Sequence, residues 1–462
     1  MSGMGEMTMG RDLGLLLPVI AVLLTAVGAL VAEMLRRPRW ALPTVVGGLL
    51  LATGLATRLV GRDTTVFGGT FRVDDLSVWA TLILLPATAL TAILVAPEVR
   101  GSDRAGTVYS LLAFTSLGAL VLAGAGDLLF LVLGLLLSSL GAFALVAYPR
   151  DDRATEAALK YFVFGSVSGA AMIFGLTFWF GATGSTLLAD QSRLTSAPLA
   201  AAGLLAVLIG LGYKSALAPF HFWAPDAYDG APLAVAAYLS VVPKIGALFA
   251  LAQVVRDLPT GVVAWPLALA ALAAVSMTWG NLAALPQTNV VRLLAYSSVA
   301  QAGYFLLGVV ALGHSDLATR ALIVFAAAYA AMNLGAFAIV AGAGRDLAAL
   351  RGLGRSSPWA GGALVLFLLS LVGVPPLAGF AGKALLFGAA LDAGFAWLAV
   401  IAILNSVLSL AVYLRIVVAL YQPPHSERQR RPSAPVAVVG ALALLLTIGL
   451  GLAVQLLLVR LT

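Results

Sequence analysis

Cysteine is absent from all 462 residues, which excludes a disulfide, a thiolate-ligated zinc and a cysteine-held iron–sulfur cluster. Histidine is nearly as scarce. His221, His314 and His425 are the whole complement and stand far apart in the chain, poor material for a haem or a metal cage. Any electron transfer served by this protein must therefore take place in a partner. Charge is also sparse: 10% of residues are charged while 61% are hydrophobic, more apolar surface than a water-facing fold can cover. Most of the chain's solvent must be lipid. The formal net charge of +7 would suggest nucleic acid in a soluble protein. Here the basic residues form short clusters between apolar runs, as orientation in a bilayer requires, which argues against a nucleic-acid partner.

A hydrocarbon core of about 30 Å needs roughly 20 apolar residues per helix. Cutting the chain where charge, Pro or Gly clusters interrupt such runs predicts an all-α membrane protein of about fourteen spans. They begin near Leu13, Ala41, Leu76, Thr107, Leu128, Thr155, Leu199, Ala231, Val262, Leu293, Leu317, Trp359, Gly394 and Val436. The first run is too long, and too closely followed by a second, to read as a cleaved signal peptide. No soluble domain or long linker remains.

If the loop carrying Arg36, Arg37 and Arg39 is cytoplasmic, the loops on its side hold 14 arginines and the opposite loops, with Arg72 and Arg256 among them, hold 8. The positive-inside rule then puts both termini outside. Five basic residues lie within apolar runs or at their edges: Lys160, Lys214, Lys244, Lys383 and Arg415. Every lysine of the protein is in that set. A high-GC genome explains part of the arginine preference elsewhere but not the lysines in the membrane.

An ammonium near mid-bilayer costs on the order of 3 kcal/mol even on lenient insertion scales, so intramembrane lysines usually face a polar cavity and mark an ion path. Lysine suits that task, because a desolvated lysine can load and release a proton where arginine stays charged. Lys214 lies in GLGYKSALAPFHFWAPDAYDGAP, cut by Pro219, Pro225, Gly230 and Pro232, and Lys383 in SLVGVPPLAGFAGKALLF, cut by Pro375, Pro376, Gly379 and Gly382. Each break frees backbone hydrogen-bonding groups at membrane depth, tolerated only beside protein or a wet cavity. Two broken spans, each with one lysine, late in two successive groups of helices, fit a transporter built from inverted repeats. Lys244 follows its own Pro243. Snorkelling to the surface is the competing reading, and for Lys160, beside RDDRATEAALK, it is the better one. His221 could relay protons or sit at an interface beside Phe222 and Trp223.

Two further stretches are structural. TTVFGGTFRVDDLS could form a small outer-face hairpin. GRDLAALRGLGRSSP reads as a solvated connector, since it lacks the spacing and the lysine of a phosphate loop.

The run from Lys214 through PFHFWAPDAYDGAP to Pro232, then Lys244, then GNLAALPQTNVVRLLAYSSVAQAGY, resembles the antiporter-like membrane subunits of respiratory complex I. These are related to subunits of multi-subunit cation/proton antiporters. PDAYDGAP and QTNVVRLLAYSS resemble the subunit N type. The resemblance covers nearly the whole chain and implies fourteen helices with two inverted five-helix repeats. It divides the chain into an N-terminal three-helix segment (1–106), a first repeat (107–258) broken near 214–231, a second (259–421) broken near 373–383, and a C-terminal helix (422–462). It implies that Lys214, Lys244 and Lys383 carry protons, with His221 and Gln301 as possible relays. NADH, flavin, iron–sulfur clusters and quinone are implied only in partner subunits, and the setting is a bacterial plasma membrane among other complex I membrane subunits. Two positions depart from the family: Leu136 stands where a membrane-embedded glutamate is usual, and Gln301 where many relatives have histidine. The missing carboxylate implies weaker proton affinity at Lys214. A cation/proton antiporter subunit and a non-pumping structural subunit remain as alternatives.

Overall fold

The computed structural model describes residues 2–194, 196–424 and 433–460; His425, Arg428, Arg430 and Arg431 lie outside the described residues. The helices among them are α1 Ser2–Leu15, α2 Leu17–Met34, α3 Ala41–Ala56, α4 Asp75–Val95, α5 Ala105–Ala123, α6 Leu128–Ala147, α7 Asp152–Thr183, α8 Ala197–Ser215 and α9 Trp223–Gly230. They continue with α10 Leu233–Val255, α11 Trp265–Ala284, α12 Val290–Val310, α13 Ala318–Ala343, α14 Leu353–Ser356, α15 Pro358–Val372, α16 Ala378–Asp392, α17 Ala396–Tyr421 and α18 Ala434–Arg460.

Among the described residues, thirteen helical spans are long and apolar enough to cross a membrane. The remaining expected span, the twelfth, from Trp359, is the pair α15 and α16, each of 15 residues. At 1.5 Å per residue each half reaches only about 22 Å, short of the hydrocarbon core. The run expected from Leu13 is divided, since α2 starts only at Leu17, with Pro18 in its first turn and the separate α1 before it.

The chain forms two compact units, each discontinuous in sequence. The first comprises residues 1–145, 165–211 and 245–263. In it α2 packs on α3 and α5, and α4 on both. The expected hairpin is present as β1 Thr64–Val66 against β2 Phe71–Val73, antiparallel with Val66 opposite Phe71. Two carboxylates of this unit serve helix ends. Glu33 accepts from the Thr107 backbone N–H and hydroxyl, both at 2.7 Å, and Asp127 accepts from Leu129 N and Thr186 Oγ1, both at 2.6 Å. Arg72, counted above as a surface cation, is buried. It pairs with Asp257 at 2.6 Å and donates to Gln253 at 3.3 Å, while Gln253 and Arg256 both donate to the buried Asp74. Such charges persist inside a fold only when paired and hydrogen-bonded, as here.

The second unit comprises residues 146–164, 212–244 and 264–462. Nearly every side chain of α12 and α13 is buried. Helix α11 packs on α12; α13 meets α15, α16 and α18; and α17 meets α11 and α15. Arg415 of α17 donates to the carbonyl of Leu285, just past the end of α11. The last carbonyls of a helix lack partners within it and carry partial negative charge, so this arginine caps the end of α11. The connector GRDLAALRGLGRSSP is less solvated than expected, for Leu350, Leu353 and Gly354 are buried.

Candidate functional site

Helix α8 ends at Ser215, and Ala216 turns the chain with φ 56° before Pro219. The freed groups around this break are met by side chains. Ala218 N–H donates to Ser276 Oγ at 3.1 Å, and the Trp223 indole donates to the Tyr213 carbonyl at 2.7 Å. Satisfaction from neighbouring side chains is what lets a helix break survive in lipid. Lys214, one residue before the end of α8, is fully buried. Its ammonium donates to Tyr161 Oη at 3.3 Å and lies 5.7 Å from the centre of that ring. The Tyr161 ring is held in turn by stacking on Trp223, with centroids 4.3 Å apart.

Lys244 lies in α10 directly after Pro243, where the ring removes one helix hydrogen bond. Helix α13 supports this weak point: Tyr329 Oη donates to the Ser240 carbonyl at 2.8 Å and Asn333 Nδ2 to Ser240 Oγ at 2.7 Å. The Lys244 ammonium donates to Ser298 Oγ and lies 5.3 Å from the Tyr228 ring centre.

Ser298 opens a polar line on α12. Gln301 and Tyr304 follow at intervals of three residues, so the three occupy neighbouring positions over about 9 Å of the helix. Gln301 donates from Nε2 to the Leu371 carbonyl at 3.1 Å. Its Oε1 is buried and has no hydrogen-bond partner among the described residues, and the same holds for Asn333 Oδ1. Buried polar atoms of this kind are ordinarily satisfied by water.

The second break ends α15 at Gly373, whose φ of 98° favours glycine, and resumes at Ala378. Gly379 must also be glycine. A Cβ there would stand 1.8 Å from the Ser370 carbonyl oxygen. Its N–H donates to Ser370 Oγ at 3.0 Å. Buried Lys383, one turn further, donates to the Val372 carbonyl at 3.0 Å and to Ser406 Oγ at 3.2 Å, and its ammonium sits 3.9 Å from the Tyr304 ring centre. Val372 ends α15, so its carbonyl lies at the negative end of that helix dipole. Among the described residues no carboxylate lies within 4.0 Å of the Lys244 or Lys383 ammonium.

His221 is buried, and its Nε2 accepts the Trp279 indole N–H at 2.8 Å. That nitrogen holds its lone pair toward a donor, which fixes the neutral tautomer with its proton on Nδ1. Lys160 differs from the other lysines. It is exposed and pairs with Glu156 at 2.8 Å and Asp226 at 3.2 Å, the surface role expected of it.

Helix α9 is pinned by charges at two carboxylates. Asp226 also takes Arg292 at 2.6 Å. Asp229 takes Arg153 and Asn289, while Arg345 donates to the carbonyls of Asp229 and Ala231. Asp229→Ala is expected to destabilise this corner by about 1–2 kcal/mol, because two charge-assisted contacts are lost at a partly exposed site. The check is the melting temperature of the detergent-extracted protein, with Asp229→Asn recovering part of the loss.

The structure places the three lysines, Gln301 and His221 in or beside the two breaks and α12. Tyr161, Tyr228, Tyr304, Ser298, Ser406 and Arg345 were not singled out. The signal for two of them was present as Ser298, Gln301 and Tyr304 at three-residue spacing.

Residues 125–409, which contain all of this geometry, match the family described as NADH:quinone oxidoreductase/Mrp antiporter, TM. NADH-quinone oxidoreductase subunit N 1 of Streptomyces griseus is 41% identical over 465 residues, covering 96% of this chain and 98% of the relative. This chain belongs to the subunit N family of NADH-quinone oxidoreductases. Subunit N of Desulfovibrio desulfuricans is 38% identical, covering 93% of this chain and 90% of the relative. A chain of respiratory complex I from Thermus thermophilus with bound aureothin superposes with a TM-score of 0.85 at 36% identity, over 96% of this chain and 98% of that one. Leu136, at the position where the resemblance sets a glutamate, lies on an exposed stripe of α6 with Leu129, Leu133 and Leu140. Its side chain is 41% exposed, so an apolar residue there presents no charge to whatever covers that face.

Proposed function

We propose that this chain is a proton-translocating membrane-arm subunit of an NADH-quinone oxidoreductase and passes protons along Lys214, Lys244 and Lys383. The observation that carries the reading is the line Ser298, Gln301 and Tyr304 on α12, with Lys244 bonded at one end and Lys383 against the other. Ser298 and Tyr304 are about 9 Å apart along the helix, too far for one hydrogen bond. An amide does not hold an extra proton near neutral pH, so Gln301 orients water while the water carries the proton. His221, whose Nε2 is occupied by Trp279, orients the first break rather than shuttling through both ring nitrogens. The lysines suit the carrier role because burial destabilises the charged form while hydroxyl, carbonyl and ring contacts offset part of that loss.

On this reading the chain is a non-redox subunit of a translocase. NADH, flavin, iron–sulfur clusters and quinone belong to partner subunits. It resides in a bacterial plasma membrane with both termini outside, and its repeats divide at 107–258 and 259–421, between a three-helix segment (1–106) and a C-terminal helix (422–462). Leu136 favours a second reading, a subunit that completes the complex without pumping. Extraction in mild detergent, affinity capture and mass spectrometry test the first half of the proposal. Recovery with quinone-binding and iron–sulfur subunits is the expected result, and recovery alone or with small cation-antiporter subunits would overturn it. Lys214→Ala in the assembled complex then separates the two readings: a lower ratio of protons moved to quinone reduced means pumping, and an unchanged ratio means scaffolding.

A further inference from the structure

Each of the three buried lysines faces a tyrosine. The distances from ammonium to ring centre are 5.7 Å for Lys214 and Tyr161, 5.3 Å for Lys244 and Tyr228, and 3.9 Å for Lys383 and Tyr304. All three rings are fully buried. The last pair has the closest geometry, and three helices contribute groups to it. From α12 comes the Tyr304 ring, from α15 the Val372 carbonyl, and from α17 the Ser406 hydroxyl.

The Tyr304 hydroxyl is anchored on α17, donating to the Ala402 carbonyl at 3.1 Å and lying 3.0 Å from Ser406 Oγ. Phe325 and Phe387 pack beside the same ring, with centroids 6.5 Å and 6.4 Å away. The ring plane is therefore fixed before the ammonium reaches it. Its hydroxyl also aligns Ser406, the second acceptor of Lys383.

We propose that Tyr304 is a positioning residue for proton transfer at Lys383, its ring face holding the ammonium of the loaded state where a carboxylate would otherwise serve. This rests on the reading of Lys383 as a proton carrier and adds the group that holds the charge. The negative face of an aromatic ring attracts a cation without carrying a net charge of its own. Its hold is much weaker than that of a carboxylate at the same depth, where a low effective dielectric strengthens ion pairing. A weakly held ammonium releases its proton without leaving a bare anion behind in the membrane. Tyr161 and Tyr228 stand in the same relation to Lys214 and Lys244 at longer range.

The test varies the electrostatics of the ring at constant shape. In the assembled complex, reconstituted in liposomes, Tyr304→Phe is compared with pentafluorophenylalanine incorporated at position 304, which reverses the charge pattern of the ring face while keeping its outline. The readouts are protons translocated per quinone reduced and the amount of assembled complex. Tyr304→Phe keeps the ring face but loses the hydroxyl that aligns Ser406, so a loss of translocation of about twofold is expected. The fluorinated ring is expected to lower it about fivefold or more, at equal assembly. Equal translocation by the two variants, whether high or low, would overturn the proposal, because a packing role or the hydroxyl would then account for the residue. Lys383→Met, measured in parallel, keeps the two readings apart. If it leaves translocation intact, the carrier role of the lysine fails; if it abolishes translocation while the fluorinated ring does not, only the role of Tyr304 fails.

Discussion

Lys244→Met is expected to slow proton passage through this chain by about a hundredfold or more, the usual scale on which a positioned proton-transfer group acts. The subunit should still assemble, since replacing a buried cation by an apolar side chain of similar length removes a desolvation cost rather than adding one. Ser298 then loses one partner but keeps its bond to the Ala295 carbonyl at 2.6 Å, so no buried hydroxyl is stranded. Lys244→Arg is expected to fail as well, because a guanidinium keeps its proton and is too broad for a site shaped by one serine and one tyrosine ring. The measurement is proton uptake against quinone reduction in liposomes. Translocation by the Met variant at the native ratio would remove Lys244 from the path.

The second large effect is expected from a single methyl group. Gly379→Ala puts a Cβ 1.8 Å from the carbonyl oxygen of Ser370, a backbone atom that cannot move without shifting the end of α15. Overpacking against a fixed backbone costs about 3 kcal/mol or more, and the same shift would break the Gly379 N–H to Ser370 Oγ bond that closes the gap between the half-helices. The expected outcome is a subunit that fails to accumulate in the membrane, read by immunoblot and by native electrophoresis of the complex. Gly362→Ala in α15 is the control, since nothing lies within 4 Å of the added methyl group there. Normal assembly of the Gly379 variant would mean that the tight crossing does not support the break.

These expectations draw on different levels of the molecule. The breaks were legible because proline and glycine act locally: Pro219, and the run Pro375, Pro376 and Gly379, interrupt a helix whatever surrounds it. The lysines were legible because an ammonium in an apolar run is costly enough to require a purpose. Lys160 was correctly set apart by its charged neighbours alone, and the structure supplies Glu156 and Asp226. Tyrosine carries no such mark. A tyrosine in a membrane helix is ordinary apolar filling until its ring is seen beneath an ammonium, and three cases escaped notice for that reason. Arg72 was read as a surface cation because the sequence placed it in a loop; its burial follows from Asp257 and Gln253, brought to it by the fold. Arg345 belongs to the stretch read as a solvated connector, yet it reaches back to the carbonyls of Asp229 and Ala231 beside the first break.

Membership of the membrane, the rough positions of thirteen spans, the two breaks and the three lysines set apart inside apolar runs were determined by the sequence itself. These follow from transfer energies and backbone chemistry, which act residue by residue or over one turn. Tertiary structure alone decided what each lysine touches: Tyr161, then Ser298 with Tyr228, then Val372, Ser406 and Tyr304. Those contacts join residues from 11 to 79 positions apart, and in lipid, where apolar side chains are nearly interchangeable, which of them meet is set by helix packing rather than by any local pattern.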